Sequence, residues 1–507
     1  MPPSAPPSLS RALLVGALAL SSVLTGPAAA QSLAAEEVVA RALGASPTIR
    51  AAQADLDSAA AGVRAADGAR VPTLTLNGEG RHTESLNVAA NGVASSQQNQ
   101  LSAGAAATIQ TDLGTSITVG LSTSVRWFST NLDPTRTDLF TIGPIYTGAL
   151  TLDARQPLLR GAGTDATLGP RREADARRLA ADRSLAETTS ALARDALLAH
   201  WELWYAQEAL RIADDALGLA TRQHEEASLR EDALGTVAAT EVLRYAAELA
   251  RARRNRAIAS AEVESRAVAL GQLIGVTGPS ALELRADAGP PEAQEVGALG
   301  PLAAAAREGS SQLLSLEAEV RAAETRLAMA GNADQPRVDL VASLASTVVF
   351  DDDSLASLQL PGNRPALSGI LGVEVELPLG SSQQSAERDQ ARAALDGAQA
   401  RYDEAARAVE AEAATLRTTL VGATARIALS AEAAEVADRL AEAERARLEL
   451  GTGTTLEVLQ AQQSAREASL ELRRAQADRA EAALRLAHLV GALVDPRTAA
   501  LRMGAGS

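Results

Sequence analysis

Two stretches of the sequence, 171–232 and 386–450, run without a proline and are rich in alanine, leucine, arginine and glutamate. An α-helix rises about 1.5 Å per residue, so a tract of about 60 residues reaches roughly 90 Å. That is longer than an ordinary globular domain. Helices of such length are stable when they lie against other helices, as in coiled-coil-like hairpins. A second helical tract follows each, at 241–271 and 457–491, across a glycine-containing turn. Long helices broken and folded back on themselves are the alternative, but neither tract contains the proline that would break it.

The two hairpins are related in sequence. Gly235-Thr236-Val237-Ala238-Ala239-Thr240-Glu241-Val242-Leu243 matches Gly451-Thr452-Gly453-Thr454-Thr455-Leu456-Glu457-Val458-Leu459 at an offset of 451 − 235 = 216. The offset still holds where Leu273-Ile274-Gly275 meets Leu489-Val490-Gly491. A constant offset over about 40 residues is the mark of an internal repeat rather than of alanine bias. What precedes each hairpin also recurs. A short piece with Val38 and Leu43 ends before Pro47, and an amphipathic helix with Ile49, Leu56 and Val63 runs to about Gly68. Pro72 then gives way to alternating Thr73-Leu74-Thr75-Leu76. In the second half a helix over 302–330 is followed by Pro336 and Val338-Asp339-Leu340. Prolines therefore stand at both helix-to-strand junctions. The expected division is two helix-strand-helix repeats, 31–279 and 280–507, the second with a short C-terminal tail.

Further period-two stretches lie at 116–122, 149–153 and 373–377, the last reading Val373-Glu374-Val375-Glu376-Leu377. One face would be apolar and the other polar. A half-buried soluble sheet gives the same pattern. The aromatics favour a membrane barrel: Trp127, Phe128, Phe140, Tyr146 and Phe350 all fall in strand regions, and barrels carry aromatics near the membrane interfaces. Four to six strands are legible, whereas a closed membrane barrel needs about eight or more. Strand edges cannot face lipid unpaired, so several chains would have to share one barrel. Whether 104–127 adds two strands or forms an external hairpin is open on sequence alone.

Arg11, an apolar run at 12–24 and Ala28-Ala29-Ala30 before Gln31 fit a signal peptide over 1–30, removed on export. The run is too short to span a bilayer, which takes about 20 apolar residues. Cysteine is absent, which excludes disulfides, thiolate metal sites, cysteine nucleophiles and an N-terminal lipidated cysteine. Lysine is absent too, so all positive charge is arginine. A net charge of −16 argues against nucleic acid as a partner. Aromatics are only 2% of residues; alanine-rich helices packed closely suit that composition better than a thick mixed core.

No catalytic constellation emerges. Gly161-Ala162-Gly163 lacks the third glycine and the context of a dinucleotide loop. His82, His200, His224 and His488 are scattered, with no helical pair to hold a metal. Asp351-Asp352-Asp353 has no calcium-loop spacing and reads as a solvated loop. His200-Trp201-Glu202-Leu203-Trp204-Tyr205 reads as a packing layer on a helix. No cofactor and no metal are expected, and an exported enzyme has no candidate site.

The order of these segments resembles that of the TolC-like outer-membrane efflux proteins. The strings that carry the resemblance are 33–49, Gln156-Pro157-Leu158-Leu159-Arg160-Gly161 and the two Gly-Thr turns. It implies an α+β fold: an outer-membrane β-barrel shared between protomers, continued by a long periplasmic α-helical barrel. It also implies a homotrimer in outer-membrane lipid, serving an inner-membrane transporter and a periplasmic adaptor as a passive exit duct for efflux or type I secretion. By position, Glu457 matches the first carboxylate of the family's periplasmic aperture, Gln460 stands where a second carboxylate is common, and Glu241 is the first-repeat counterpart. Gly453 replaces an arginine often seen in the turn, so an arginine latch is in doubt. Gly235, Thr236, Gly451 and Thr452 mark the hairpin turns where an adaptor would dock. Helix-start carboxylates are also favoured by the macrodipole, a structural role open to Glu241 and Glu457 alike. A periplasmic or surface coiled-coil adaptor is the rival reading; it should show one helical hairpin flanked by compact β domains.

Overall fold

The computed structural model describes residues 31–89, 92–130, 140–234, 239–291, 297–350, 365–377, 379–380 and 383–494. The expected signal peptide, Gly235, Thr236 and the Asp351-Asp352-Asp353 run lie outside the described residues.

In chain order, β1 (Gln31–Leu33), α1 (Ala35–Ala45) and α2 (Pro47–Gly68) lead into four long strands: β2 (Thr73–Ala89), β3 (Gly92–Gln110), β4 (Ser116–Thr130) and β5 (Phe140–Pro157). The short α3 (Gly163–Thr167) precedes the hairpin of α4 (Gly169–Leu234) and α5 (Ala239–Ile274). A 3₁₀ turn and β6 (Leu284–Ala286) then lead to α6 (Leu299–Gly309) and α7 (Ser311–Ala333). Strands β7 (Arg337–Phe350) and β8 (Ala366–Glu376) follow, and the second hairpin is α8 (Gln383–Glu449) and α9 (Thr455–Leu489). Helices α4 and α8 have 66 and 67 residues, each roughly 100 Å long at 1.5 Å per residue. Both are continuous.

The same joint is built twice beside the long hairpins. Ser46 caps α2, its hydroxyl accepting from the Thr48 and Ile49 amides at 3.2 and 3.4 Å, with Pro47 at the first helical position. Ser310 caps α7 in the same way through the Leu313 amide at 3.4 Å. A left-handed glycine ending each hairpin presses on that break: Gly275 (φ 76°) on Ala45, and Gly491 (φ 67°) on Gly309. The second contact is backbone on backbone. A Cβ on Gly491 would lie 2.2 Å from the Gly309 carbonyl oxygen, and one on Gly309 would lie 2.1 Å from that of Val490.

The core sits at this level, partway along the long helices. Leu33, Val38, Leu203, Leu270 and Leu284 form one cluster; Val39, Leu197, Trp201, Leu484 and Leu493 form a second, which joins α4 to α9. Ala306, Leu313, Val409, Leu416 and Leu489 do the same for the second half. Trp201 is thus a packing residue, as the sequence suggests, and His200 is buried beside it. A parallel β1–β6 pairing, Gln31 to Leu284 through Leu33 to Ala286, stitches the start of the described chain to the segment after α5.

The remaining strands form one antiparallel sheet in the order β2-β3-β4-β5-β7-β8. Residues 104–127 therefore lie in the sheet as the last part of β3, the turn after it and most of β4, which answers the question the sequence leaves open.

Candidate functional site

Two surfaces have the chemistry to matter: the faces of the sheet and the tip of the second helical hairpin.

Register assigns the sheet faces residue by residue. Leu74 lies beside Ala107, then Val119, Leu152 and Leu344; Leu76 lies beside Ala105, Leu121 and Leu150. On β8 the same face carries Leu367, Leu371, Val373 and Val375. The opposite face aligns Thr73, Thr108, Thr118, Asp153 and Ser343, with Glu79, Ser102, Ser124 and Thr147 further out. One side is thus aliphatic and the other hydroxyl, amide and charge. The aliphatic side is bare, with Leu76 at 73% and Leu371 at 76% exposure, and among the described residues no helix lies across it. Fully burying a side chain of this size gains about 1.5–3 kcal/mol, so a whole bare face demands an apolar environment. From Leu101 to Ile109 the band is roughly 20–25 Å tall once a strand tilt of about 40° is applied, close to the apolar belt of a membrane barrel. Trp127, Phe128, Phe140, Tyr146 and Phe350 all fall toward the end of the strands away from the helices, with Tyr146 opposite Phe350 in register.

Charged contacts lock the other end of the sheet, next to the helices. On the polar face Asp339, only 2% exposed, pairs with Arg155 and Arg337 at 2.9 Å each, and Glu374 pairs with Arg155. Arg70 pairs with Asp112 in the β3–β4 turn. At the strand-to-helix return, the Gly161 amide donates to Asn332 Oδ1 at 2.7 Å while Asn332 Nδ2 donates to the Ala162 carbonyl at 3.0 Å. The Gln156–Gly161 string is therefore a joint, locked by a residue of α7.

At the hairpin tip, α8 ends in a left-handed Gly451 (φ 73°). The Thr452 and Gly453 amides donate back to the Arg447 carbonyl at 2.9 and 3.1 Å. Gly453 packs closely under the turn: a Cβ there would lie 3.1 Å from the Leu448 amide nitrogen and 3.2 Å from the Arg447 Cβ. An arginine still sits under the turn: Arg447 pairs with Glu444 at 2.9 Å and donates to the Thr452 carbonyl at 3.4 Å.

Glu457 takes part in a capping box. The Thr454 amide and hydroxyl donate to its Oε2 at 2.8 and 2.9 Å, and the Glu457 amide donates to the Thr454 hydroxyl at 3.3 Å. These Thr454 bonds, with Arg447 adding a smaller pull, hold the Glu457 carboxyl below its ordinary range. The T-x-x-E signature was legible in Thr454-Thr455-Leu456-Glu457. Gln460 is exposed three residues on, so it shares a helix face with Glu457. Glu241 lies apart from them. It accepts from the hydroxyl of buried Thr455, tying the start of α5 to the start of α9 above Tyr245.

Further along, arginines of α9 grip the first hairpin. Arg466 meets Glu248 at 2.8 Å, Arg473 meets Glu208 at 3.1 Å, and Arg474 meets Glu202 at 3.0 Å while lying 5.3 Å over the Tyr205 ring. Among the described residues no three acidic or histidine side chains gather as a metal site.

Comparison with known proteins places this arrangement. Residues 302–492 match the family model for outer membrane efflux proteins. A search of curated protein sequences finds no match. Among solved structures, the outer membrane protein VceC of Vibrio cholerae is similar at 18% identity and a TM-score of 0.62, covering 90% of this chain and 96% of its own. The CmeC outer membrane channel of Campylobacter jejuni is similar at 12% identity and 0.60, covering 92% and 86%. The open state of the MtrE outer membrane channel of Neisseria gonorrhoeae is similar at 16% identity and 0.59, covering 90% and 88%.

Proposed function

We propose, for a chain that has the TolC-like outer-membrane channel fold throughout and matches the outer membrane efflux protein family over 302–492, that it works as a passive exit duct across the outer membrane. The observation that carries this reading is the six-stranded sheet with one bare apolar face and one polar face, continuous with two hairpins roughly 100 Å long. The apolar face meets lipid; the polar face lines water. The helices extend into the periplasm. Two hairpins hang from one open sheet, where the rival coiled-coil adaptor calls for one hairpin between compact β domains.

Three chains assemble around a common axis, and energy comes from an inner-membrane transporter joined through a periplasmic adaptor. The adaptor docks on the hairpin tips, where Gly451, Thr452 and the apolar Leu450 and Leu456 are exposed. The repeats span 31–279 and 280–507, one hairpin each. Glu457 and Gln460 face the periplasmic aperture as a single acidic ring backed by amides, repelling anions and holding cations. Glu241 contributes by fixing the position of α9 through Thr455. Adaptor contact favours an outward movement of the hairpins already accessible to the assembly.

Fractionation of cells making the full chain tests the reading. The protein should sediment with outer membrane and run on a gel as an oligomer that heat converts to monomer. A soluble periplasmic monomer would rule out the duct.

A further inference from the structure

Strands β2 and β8 are the outer members of the sheet, and among the described residues each leaves one edge without a neighbour in its own chain. These edges run in opposite directions, because β2 leaves the helices and β8 returns to them. They are antiparallel partners in waiting. Six strands are too few to close on themselves as a membrane barrel, which starts at about eight. Nor can a bare edge persist in hydrocarbon, where each unpaired backbone group costs several kcal/mol.

We infer that β2 of one copy pairs with β8 of the next and that, resting on the three-chain assembly proposed above, the barrel has eighteen strands, six from each chain. The faces limit the register. Thr73 and Glu376 are the strand residues nearest the helices on these two edges, and both lie on the polar face. Pairing that keeps apolar beside apolar admits only even offsets from Thr73 opposite Glu376, and the smallest of these set Leu76 beside Leu371, Val373 or Val375.

Strand number sets calibre. At a spacing of about 4.8 Å and a tilt of about 40°, eighteen strands enclose roughly 35 Å from backbone to backbone, and barrels of 16–18 strands leave an aqueous channel. The inward face of hydroxyls, amides and scattered charge suits hydrated cargo. The outer-membrane end is then a wide, water-filled mouth that does not sort small solutes, and discrimination falls to the helical end. Strands β3 and β4 supply the extra width: without them β2 would run out and β5 back, leaving four strands per chain.

The absence of native cysteine makes cross-linking clean. Under mild oxidation in outer-membrane fractions, Leu76→Cys combined with one of Leu371→Cys, Val373→Cys or Val375→Cys should give a reducible trimer, while Leu76→Cys with Leu121→Cys, two strands apart inside one sheet, should give none. In planar bilayers, polymers added from the outer side should enter the wild type at sizes excluded from a variant lacking 92–130. Barrel conductance of that variant should fall to about half or less, as expected for twelve strands instead of eighteen. An oligomer in the membrane fraction with no cross-link from any of the three pairs overturns the edge pairing. Trimer cross-links with an unchanged polymer cut-off in the deletion variant overturn the calibre. Should the deletion variant fail to insert, the cross-linking decides the edge pairing and the wild-type polymer cut-off decides the calibre, a mouth no wider than twelve strands allow overturning it. A chain absent from the membrane fraction would instead sink the duct reading on which this rests.

Discussion

At the scale of single residues, Glu457 carries two roles that experiment can separate. It closes the start of α9 through Thr454, and it is exposed at the hairpin tip. Glutamine at the third helical position also completes a capping box, so Glu457→Gln keeps the helix start and removes the charge. Block of single-channel current by added divalent cations should weaken in Glu457→Gln and in Glu457→Ala alike. Unchanged block would remove Glu457 from the aperture. Because the carboxyl is held below its ordinary range in the folded chain, its contribution to the cap is complete above the unfolded carboxylate pKa of about 4.3 and is lost as pH falls through the lower folded value. Fraying of the α9 start, read by hydrogen exchange at the Thr455 and Glu457 amides, should therefore set in only below the ordinary carboxylate range. Gly491 has no such ambiguity. Gly491→Ala places a methyl on a left-handed residue and against the Gly309 carbonyl, and should cost roughly 2–4 kcal/mol. A melting temperature within a degree of wild type would contradict the account of that joint.

At the scale of elements, the two hairpins of one chain are held together by α9. Glu248 is 8% exposed and relies on Arg466, with Arg251 farther off at 3.8 Å. Arg466→Ala leaves a nearly buried carboxylate short of its partner, so it should destabilise by about 2–3 kcal/mol, whereas Arg439→Ala, a pair at full exposure on α8, should cost under about 0.5 kcal/mol. Thermal unfolding of the two variants side by side checks the contrast. Much of this level was legible in the sequence. Unbroken alanine-rich tracts could be little other than long helices, and β8 announced itself through Val373-Glu374-Val375-Glu376. Strand β3 was harder, because its outward row is Ala103, Ala105 and Ala107 against inward Gly104 and Ala106, an alternation with almost no hydropathy contrast. The three-residue β1–β6 pairing is too short to carry a period. At the site, Glu457 and Gln460 could be singled out by comparison, but the Thr455–Glu241 tie and Arg447 beneath the turn depend on which helices meet in space.

For the whole molecule, a sheet that among the described residues has a bare apolar face and two open edges is incomplete as a single chain. Its physical demands are an apolar surround and further copies of itself; both are met by a shared barrel in a bilayer. The helical hairpins then stand clear of the membrane, and no helix among the described residues is long and apolar enough to cross it. The claim on which the rest depends is that the assembled chain opens a water-filled path through a membrane. The direct measurement is current across a planar lipid bilayer to which the purified full-length protein, taken as its heat-labile oligomer, is added. Discrete, uniform conductance steps, lost after heating to monomer, are the predicted result. A bilayer that stays silent while the protein remains a soluble, folded monomer would contradict the account.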